Sequence, residues 1–511
     1  MRTLAVIDLG SNSFRLVVFS WDDGWWKRTD EIHEPVRIGA GLDAAGALQP
    51  EPMERALETL ELYAHFCRAT GVQGVRPVAT SAIRDATNRD AFLRAARERS
   101  GLEVEVLAPE AEARYGYLAA LNSTTLRDGV VLDLGGGSLQ LTRVRERLAL
   151  DARSWPLGAV RMTERFLARE RPKPKHLDAL RRHVAEALGE APWLAGGQAG
   201  GLVGIGGTVR NLAAAVGLAA GLPSFGVQGF RLERQALDAL VERLAGMTAA
   251  ERGAVPGIKA ARGDLILAGA VVVQSVLESG GFDALQVTEA GLREGVFFSS
   301  LLASSDPPLF ADVRRAAVAN LAAQYATNGA HVEHVLRLAL QIWDALARAG
   351  VHPGDPDERE LLSAAARLHD IGASIDYDDH HKHSRYLVLS AGLPGFSPRE
   401  TGLIAQMCRY HRKGAPSLGA VAPLARRGDE ALLTRCAAVL RVAEQLERSR
   451  DQAVDGVRVE VRDGSVRLEL EAHEDVTVAR WGAERQADVF ERAFGGRLEV
   501  SASQARAAAP R

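Results

Sequence analysis

A nine-residue segment near the start of the chain occurs a second time, in altered form, farther along. Residues 8–16 read DLGSNSFRL and residues 133–141 read DLGGGSLQL, so five of the nine positions are identical. Each copy follows an apolar run that predicts a buried strand, and each continues into a second apolar strand. Two such units, about a domain-length apart, predict two similar halves that face each other across a cleft.

The two turns carry groups that suit phosphoryl chemistry. Their backbone N–H groups and hydroxyls can bind one anion, and Asp8 and Asp133 place a carboxylate beside each turn for a metal ion. A single turn of this kind predicts no more than a hairpin with a convenient glycine. Its repetition favours a cleft that handles phosphoryl groups.

A third glycine-rich turn follows another apolar run. Residues 202–205 predict a strand, and Gly206, Gly207 and Thr208 lead from it into a predicted helix over 209–216. A strand-to-helix turn points N–H groups and the positive end of a helix at an anion. The same turn is equally consistent with simple packing, and both interpretations stay open.

Composition and charge exclude several classes of protein. The 62 Lys+Arg and 65 Asp+Glu residues give a net charge of −3, so nothing global draws the chain to nucleic acid or to an anionic membrane. The longest strongly apolar run, 265–273, is about half of a membrane span. The start of the chain leads directly into a strand, which predicts no signal peptide. Three widely separated cysteines argue against a disulfide framework and fit a reducing cytoplasm.

A chain of 511 residues is too long for one core, and roughly three or four domains are expected. The first two are predicted to be α/β because strands and helices alternate in them. The third has helical spacing almost throughout, the fourth is a small α/β cap, and the Ala/Arg-rich tail is predicted to be disordered. The predicted boundaries are 1–125, 126–304, 305–452, 453–502 and 503–511.

Individual elements follow from periodicity and turn residues. The first domain is predicted to contain a hairpin turn at 22–24, helices at 51–70, at 88–99 and from 109, and strands at 75–79 and 102–107. The cap is predicted to contain strands at 457–461, 466–470 and 497–500, with one helix over 484–494.

Five motifs occur in a fixed order. They are AVIDLGSNS at 5–13, ATSAIR at 79–84, EAEAR at 110–114, LDLGGGS at 132–138 and GLREG at 291–295. Together they resemble the exopolyphosphatase/guanosine pentaphosphate phosphohydrolase family, a branch of the actin-like, sugar-kinase and Hsp70 ATPase superfold. The resemblance implies two actin-like (ribonuclease H-like) domains, and it implies that residues 311–449 are a degenerate, all-α HD-like domain.

The resemblance also implies roles for individual residues. Glu112 would be the water-activating carboxylate; the alternative is that it only favours a helix N-terminus. Asp133 would be the metal-associated carboxylate, with Asp8 and Gln140 beside it, and Arg15 is a weaker candidate for the phosphate site. The proposed phosphate cradle consists of Ser11, Asn12, Ser13, Arg84, Gly135, Gly136, Gly137, Ser138, Gly206, Gly207, Thr208 and Arg293.

Gln140 is a departure from the family, which usually carries Glu at this position. A neutral amide can still offer its carbonyl oxygen to a metal ion or a water molecule. It cannot act as a base, and it removes one negative charge from the site. Metal affinity is therefore expected to be weaker.

In the helical domain, His369 and Asp370 with His331 upstream resemble the metal ligands of HD phosphohydrolases. The chain offers Glu444 and Glu447 where the last Asp is expected, so the sequence favours a vestigial site closed by internal hydrogen bonds. Basic residues at 381–385 and 409–413 either line a polyanion site or form a solvated loop.

The expected function is that of a cytoplasmic exopolyphosphatase that uses Mg²⁺ or Mn²⁺ to release terminal phosphate from inorganic polyphosphate. The expected assembly is a homodimer, with neither nucleic acid nor membrane as a partner. The nearest alternative is hydrolysis of the 5′ end of guanosine pentaphosphate, with guanosine tetraphosphate as a related ligand. A third is a weakly catalytic sensor of polyphosphate or alarmone. An ATP-driven kinase or chaperone is disfavoured by the third and fifth motifs.

Overall fold

The computed structural model describes residues 1–169, 171–223, 225–325, 328–462 and 464–504. It divides into two compact units, Met1–Val313 and Arg314–Arg511. Within the described residues, no helix combines the length and apolar character needed to cross a membrane.

The first half of the first unit is a five-stranded sheet with helices packed on it. Its elements are β1 (Arg2–Leu9), β2 (Phe14–Asp22), β3 (Trp25–Glu34), α1 (Leu42–Ala45), α2 (Pro50–Ala69), β4 (Gly74–Ala79), α3 (Ser81–Asp85), α4 (Arg89–Ser100), β5 (Glu105–Val106) and α5 (Pro109–Leu121). The strand order is β3-β2-β1-β4-β5. Apolar residues of β1 and β2 pack with Leu57 and Leu60 of α2 and Phe92 of α4 in one core.

The second half of this unit repeats the plan with six strands. Its elements are β6 (Gly129–Leu134), β7 (Leu139–Arg145), β8 (Leu148–Trp155), α6 (Ala159–Phe166), α7 (Pro174–Leu188), β9 (Gly201–Ile205), α8 (Gly207–Ala219), β10 (Arg231–Glu233), α9 (Arg234–Ala245), α10 (Ala249–Gly253), α11 (Ile266–Gly280), β11 (Ala284–Val287) and α12 (Leu292–Leu301). Short 3₁₀ helices lie at Pro192–Ala199 and Ala260–Arg262. The strand order is β10-β11-β9-β6-β7-β8. The almost completely buried helix α11 contributes to the core of this half.

The repeated segments form equivalent hairpins in the two sheets. Strand β1 is antiparallel to β2 and parallel to β4, and β6 is antiparallel to β7 and parallel to β9. Asp8 is paired with Arg15 in one hairpin, and Asp133 is paired with Gln140 in the other. The prediction of two similar α/β halves is therefore confirmed, and the repeat places the same turn at the same end of each sheet.

One predicted strand of this unit is shorter than expected. The sequence predicted a strand over 102–107, but only Glu105–Val106 forms one. It lies at the edge of the first sheet, where only two residues are paired with β4. The predicted hairpin turn and helices of this half are present within one or two residues of their expected ends.

The second unit is mostly helical and ends in a three-stranded sheet. Its elements are α13 (Val313–Ala323), α14 (Gly329–Arg348), α15 (Pro356–Leu368), α16 (His380–Ala391), α17 (Pro398–Tyr410), α18 (Asp429–Leu446), β12 (Val454–Arg462), β13 (Ser465–Ala472), α19 (Thr477–Glu484), α20 (Ala487–Phe494) and β14 (Arg497–Gln504). Two 3₁₀ helices lie at Ile371–Ser374 and Gly419–Leu424. The sheet order is β12-β13-β14.

The end of this unit differs from the sequence prediction in two places. The helix predicted over 484–494 is present as α20, which begins only at Ala487, but the preceding helix α19 was not predicted. The two helices are separated by a break at Arg485 and Gln486, and both contact α18 and β14. The break keeps the buried faces of both pieces on the same neighbours. Strand β14 pairs with β13 as far as Gln504, beyond its predicted end. The rest of the predicted disordered tail, 505–511, lies outside the described residues.

Candidate active site

The two repeated turns and the third glycine turn line one cleft in the first unit, with a cavity volume of about 130 Å³. Most of the residues proposed from the sequence meet there. Those that line the cleft are Asp8, Ser11, Asn12, Ser13, Glu112, Asp133, Gly135, Gly136, Ser138, Gly206, Gly207 and Arg293. The separate motifs therefore belong to one site.

Glycines of the second turn allow the two repeats to touch. A Cβ atom on Gly136 would lie 3.1 Å from the Ser11 Cβ, and one on Gly137 would collide with the Ser81 hydroxyl. Ser11 and Ser81 are themselves within hydrogen-bond distance, with their Oγ atoms 3.2 Å apart. Larger residues at the two glycines would push the hairpins apart. Gly137 is therefore a packing residue, and it does not line the cleft.

The third turn also packs closely against the second half's first hairpin, at the end of β6. Gly206 has a φ of 104°, a left-handed conformation that favours glycine, and a Cβ there would lie 2.5 Å from the Leu134 carbonyl oxygen. Helix α8 begins at the next residue, so its N-terminus faces the cleft. Thr208 is buried behind the wall, where its side chain packs against Gly269.

Three acidic side chains, the cleft carboxylates Asp8, Glu112 and Asp133, share this space. Asp8 and Asp133 lie near the ends of β1 and β6, and Glu112 lies in the first turn of α5. Burial raises the pKa of all three. The charges of Glu112 and Asp8 add to burial at Asp133, whose pKa rises to about 7. The three carboxylates repel one another, and a divalent cation bound by their oxygen atoms would relieve this repulsion.

Glu112 is held in place by groups from three elements. Pro109 occupies the first turn of α5 and helps to fix the start of the helix. Arg84 donates a hydrogen bond to Glu112 Oε2 at 2.7 Å and another to the Leu107 carbonyl at 2.9 Å. Ser138 Oγ lies 3.4 Å from Glu112 Oε1. Arg84 was predicted to be a phosphate clamp, but the structure places it against Glu112 and outside the residues that line the cleft.

Gln140 also lies behind the cleft wall. Its Nε2 donates to Ser138 Oγ at 2.8 Å, and its buried Oε1 has no hydrogen-bond partner. Since Ser138 in turn reaches Glu112, Gln140 is connected to the cleft carboxylates through a serine. A direct contact between Gln140 and a metal ion stays a prediction.

Four guanidinium groups, the cleft arginines Arg15, Arg210, Arg262 and Arg293, oppose the carboxylates. Arg293 at the start of α12 donates to Asp8 Oδ2 at 3.0 Å. Arg15 forms an ion pair with Glu31 at 3.2 Å, and its buried Nε has no hydrogen-bond partner. Arg262 packs its guanidinium against Gly207.

The cleft arginines are crowded. Burial, together with the charge of Arg293, lowers the pKa of Arg15 to about 10 and also lowers the pKa of Arg210. Burial, with Arg15 nearby, lowers the pKa of Arg262. Cations that repel one another in a partly dry cleft favour an anionic ligand with several charges.

Sequence reasoning missed two of these arginines. Arg210 follows the third turn by two residues, so its place in the first turn of α8 was a usable signal. Arg262 belongs to a short 3₁₀ helix outside all five motifs, and no local pattern marks it.

The basic stretches of the second unit are largely paired. Lys382 forms an ion pair with Asp379, Arg385 donates to Gln406, and Arg412 donates to the Asp378 carbonyl. His381 is fully buried. Arg385 and Arg412 bond to neutral groups and keep their positive charge, so a basic lining for a polyanion stays a prediction.

Comparison with known proteins gives the family. The Ppx/GppA phosphatase family matches residues 17–304, and domain III of the Ppx/GppA phosphatases matches residues 313–481. The chain belongs to the Ppx/GppA phosphatase family. Its members hydrolyse phosphoanhydrides, which agrees with a cleft that combines glycine-rich turns, carboxylates and arginines.

Individual relatives agree with this assignment. The guanosine-5'-triphosphate,3'-diphosphate pyrophosphatase of Vibrio vulnificus (strain YJ016) is 28% identical over 458 residues, which is 88% of each protein. A Ppx/GppA family member from Aquifex aeolicus is similar in structure, with a TM-score of 0.52 and 29% identity over 60% of this chain and 99% of that one. An exopolyphosphatase from Cytophaga hutchinsonii shares the fold, with a TM-score of 0.54 and 22% identity over 59% and 98% of the two chains.

Replacing Asp133 by Asn tests how much the charge of this buried carboxylate destabilises the folded Ppx/GppA protein. The ordinary Asp pKa of 3.8 applies to the unfolded chain, and the folded value is about 7. Between these pH values the folded protein retains a proton that the unfolded chain loses, so stability falls as the pH rises. Asp133→Asn should therefore raise the unfolding temperature at pH 8 in chelator, by about 2–4 °C per kcal/mol of repulsion removed. The gain should disappear below pH 4.

The matched control is Asp23→Asn, in the exposed hairpin turn of the first sheet. It should leave the unfolding temperature unchanged at both pH values. Thermal unfolding followed by circular dichroism measures both variants, and an Asp133→Asn protein that is less stable than wild type at pH 8 would contradict the charge argument.

Proposed function

We propose that the chain is an exopolyphosphatase, which hydrolyses the terminal phosphoanhydride bond of inorganic polyphosphate in the cleft and releases orthophosphate. The main support is the presence of three carboxylates and four arginines in a single cleft lined by phosphate-binding turns. Carboxylates alone would suit a cation, and arginines alone would suit any anion. Their combination suits metal-assisted attack on a phosphoryl group.

The lining of the cleft favours an inorganic chain over a nucleotide. No aromatic side chain occurs among the lining residues that the structure describes, and the apolar ones are Leu134, Ala159, Leu265 and Leu292. A guanine base is commonly held by stacking, whereas a polyphosphate chain needs only positive charge and N–H groups. Lys259 extends the positive region: burial, and then the nearby charge of Arg15, lower the pKa of its ammonium group.

Mg²⁺ or Mn²⁺ is the proposed cofactor. When bound, such an ion neutralises charge on the phosphoryl oxygens. Asp133 and Asp8 would hold it, since both are partly exposed in the cleft and both carry a raised pKa. The donor set consists of oxygen atoms, which these ions prefer.

Glu112 is proposed to accept the proton of the attacking water. The water oxygen then bonds to the terminal phosphorus while the bond from phosphorus to the bridging oxygen breaks, and the shortened chain leaves through that oxygen. Arg84 keeps Glu112 oriented. Backbone N–H groups of the turns at 10–13, 135–138 and 206–207 bind the phosphoryl oxygens, with Arg293 beside them.

Hydrolysis of guanosine pentaphosphate is the second candidate. The observation that favours it is the similarity to the Vibrio vulnificus pyrophosphatase over 88% of the chain. Both substrates end in a phosphoanhydride, and the same carboxylates would act on either.

Replacing Glu112 by Gln should lower phosphate release from polyphosphate by about a hundredfold or more, because the base is lost. Polyphosphate binding should persist, since the isosteric amide removes no cationic group. The matched control is Glu110→Gln, an exposed residue in the same helical turn, which should release phosphate at the wild-type rate. Wild-type turnover by Glu112→Gln would refute the assignment.

Replacing Arg262 by Gln should weaken polyphosphate binding. A charge-assisted hydrogen bond contributes roughly 1.5–3 kcal/mol, so KM should rise about tenfold or more. The increase should shrink at high salt, where screening weakens the lost attraction. Arg153→Gln, at an exposed position on β8, is the control. An unchanged KM for Arg262→Gln in a low-salt phosphate-release assay would remove this residue from the polyphosphate site.

Replacing Gln140 by Glu tests the departure from the family. Asp133 and Gln140 are paired across β6 and β7, so the added charge would lie near the proposed metal site. The metal concentration for half-maximal activity should fall by about threefold to tenfold, which corresponds to roughly 1 kcal/mol of added attraction. Side-by-side Mg²⁺ and Mn²⁺ titrations measure this. A half-maximal metal concentration that is unchanged or higher in Gln140→Glu would show that Gln140 acts only by hydrogen bonding to Ser138.

A further inference from the structure

The second unit contains a cluster of metal-binding side chains that the proposed function does not use. The histidine–carboxylate cluster consists of His331, His369, Asp370, His380, His411 and Glu444. These residues come from the start of α14, the end of α15, the start of α16, the end of α17 and the last turns of α18. Distant parts of the chain are therefore brought to one point, and His380 and His411 join the four residues that the sequence had already grouped.

The first part of the cluster has the spacing of ligands around one ion. Glu444 Oε2 lies 3.2 Å from His331 Nε2 and 3.1 Å from His369 Nε2. Asp370 carboxylate oxygens lie 3.7 Å from each of the same two nitrogens. Ligand atoms about 2.0–2.2 Å from a metal ion are about 3–3.5 Å from one another. A shift of a few tenths of an ångström would complete this set.

The second part of the cluster shares Asp370 with the first. Asp370 Oδ1 lies 3.3 Å from His380 Nε2 and 3.8 Å from His411 Nε2. The two histidine Nε2 atoms are only 2.9 Å apart. Asp370 therefore occupies the position of a bridging ligand between two sets of histidines.

Backbone contacts orient three of the histidine rings. The Nδ1 atoms of His369, His380 and His411 each lie 2.7 Å from a backbone carbonyl, those of Ala366, Tyr377 and Cys408. A carbonyl only accepts, so each Nδ1 carries a proton and each ring directs its Nε2 into the cluster. The Nε2 atoms of His380 and His411, 2.9 Å apart, repel each other unless a proton or a metal ion lies between them.

His331 gives independent support. It is 1% exposed; its Nε2 lies 3.2 Å from Glu444 Oε2 without the alignment of a hydrogen bond, and its Nδ1 has no hydrogen-bond partner. A buried polar group in this state is costly to fold unless a ligand satisfies it. The sequence predicted a vestigial site closed by internal hydrogen bonds; this description fits His369, which is bonded at both ring nitrogens, but not His331. Glu444, despite its longer side chain, reaches both His331 and His369.

The cluster opens into a pocket of about 220 Å³ that carries positive charge. Arg412, Arg448 and Arg450 line it together with Asp370, His380, His411 and Glu444. Arg450 also approaches Asp370 Oδ2 at 3.4 Å. Guanidinium groups beside a metal centre are the expected partners of a phosphate group.

We propose that the histidine–carboxylate cluster holds two divalent transition-metal ions bridged by Asp370, in a pocket whose arginines bind a phosphate group. Imidazole nitrogens select transition metals such as Mn²⁺, Fe²⁺, Co²⁺ or Zn²⁺ over Mg²⁺. The centre is distinct from the cleft of the first unit, where the donor atoms are oxygens. The two-metal proposal does not depend on the function proposed for that cleft.

The test is the binding of Co²⁺ to the full-length protein after chelator treatment, followed by absorption spectroscopy and elemental analysis. Wild type should bind two Co²⁺ ions in the cluster, with the visible spectrum of nitrogen ligation; an ion held by oxygen ligands in the first cleft would be lost from the total in Asp133→Asn. His369→Ala and Glu444→Gln should lose at least one ion or bind it more than tenfold more weakly. His383→Ala on the same helix as His380, and Asp133→Asn in the other cleft, should keep the nitrogen-type spectrum.

Glu444→Gln preserves side-chain shape, so it remains informative if His369→Ala does not fold. Inorganic phosphate added to the Co²⁺ protein should shift the spectrum in wild type and less so in Arg448→Gln. A wild-type protein without the nitrogen-type spectrum, or one whose spectrum is unchanged in His369→Ala and Glu444→Gln, would overturn the proposal in favour of a hydrogen-bonded cluster. A metal spectrum that does not respond to phosphate would overturn the phosphate part.

Discussion

The opposition of charges in the cleft of the first unit is the constraint on which the site depends. Three carboxylates and four arginines share a space of about 130 Å³, and burial raises the pKa of the acids while lowering the pKa of Arg15, Arg210 and Arg262. Neither set is fully neutralised by the other. A divalent cation would compensate the acids and a polyanion would compensate the arginines, so the cleft is electrostatically prepared for a metal–phosphate complex.

Close backbone packing makes this arrangement achievable. The glycines of the second turn let it touch Ser11 and Ser81 of the first half, and Gly206 brings the third turn against Leu134. Each turn follows a strand of a rigid sheet, so the N–H groups that would bind phosphate are fixed before a ligand arrives. Preorganised donors of this kind need little rearrangement in the transition state.

The sequence predicted the parts of the site that follow strands, because a repeated strand-and-turn pattern is visible without knowledge of the fold. It did not predict that Arg84 supports Glu112, or that Ser138 lies between Gln140 and Glu112. Arg262, and the addition of His380 and His411 to the cluster around His369, could not be found, because these residues meet their partners only through tertiary packing. The separation of α19 from α20 depends likewise on contacts with α18 and β14.

The most direct test of the central claim is phosphate release by the full-length protein from long polyphosphate, short polyphosphate and guanosine pentaphosphate, with and without Mg²⁺ or Mn²⁺. The account predicts metal-dependent release of orthophosphate with a higher kcat/KM for polyphosphate than for guanosine pentaphosphate. A clear preference for guanosine pentaphosphate would contradict the proposed substrate. Undiminished release in chelator, or no release from any of the three, would contradict the metal-assisted mechanism itself.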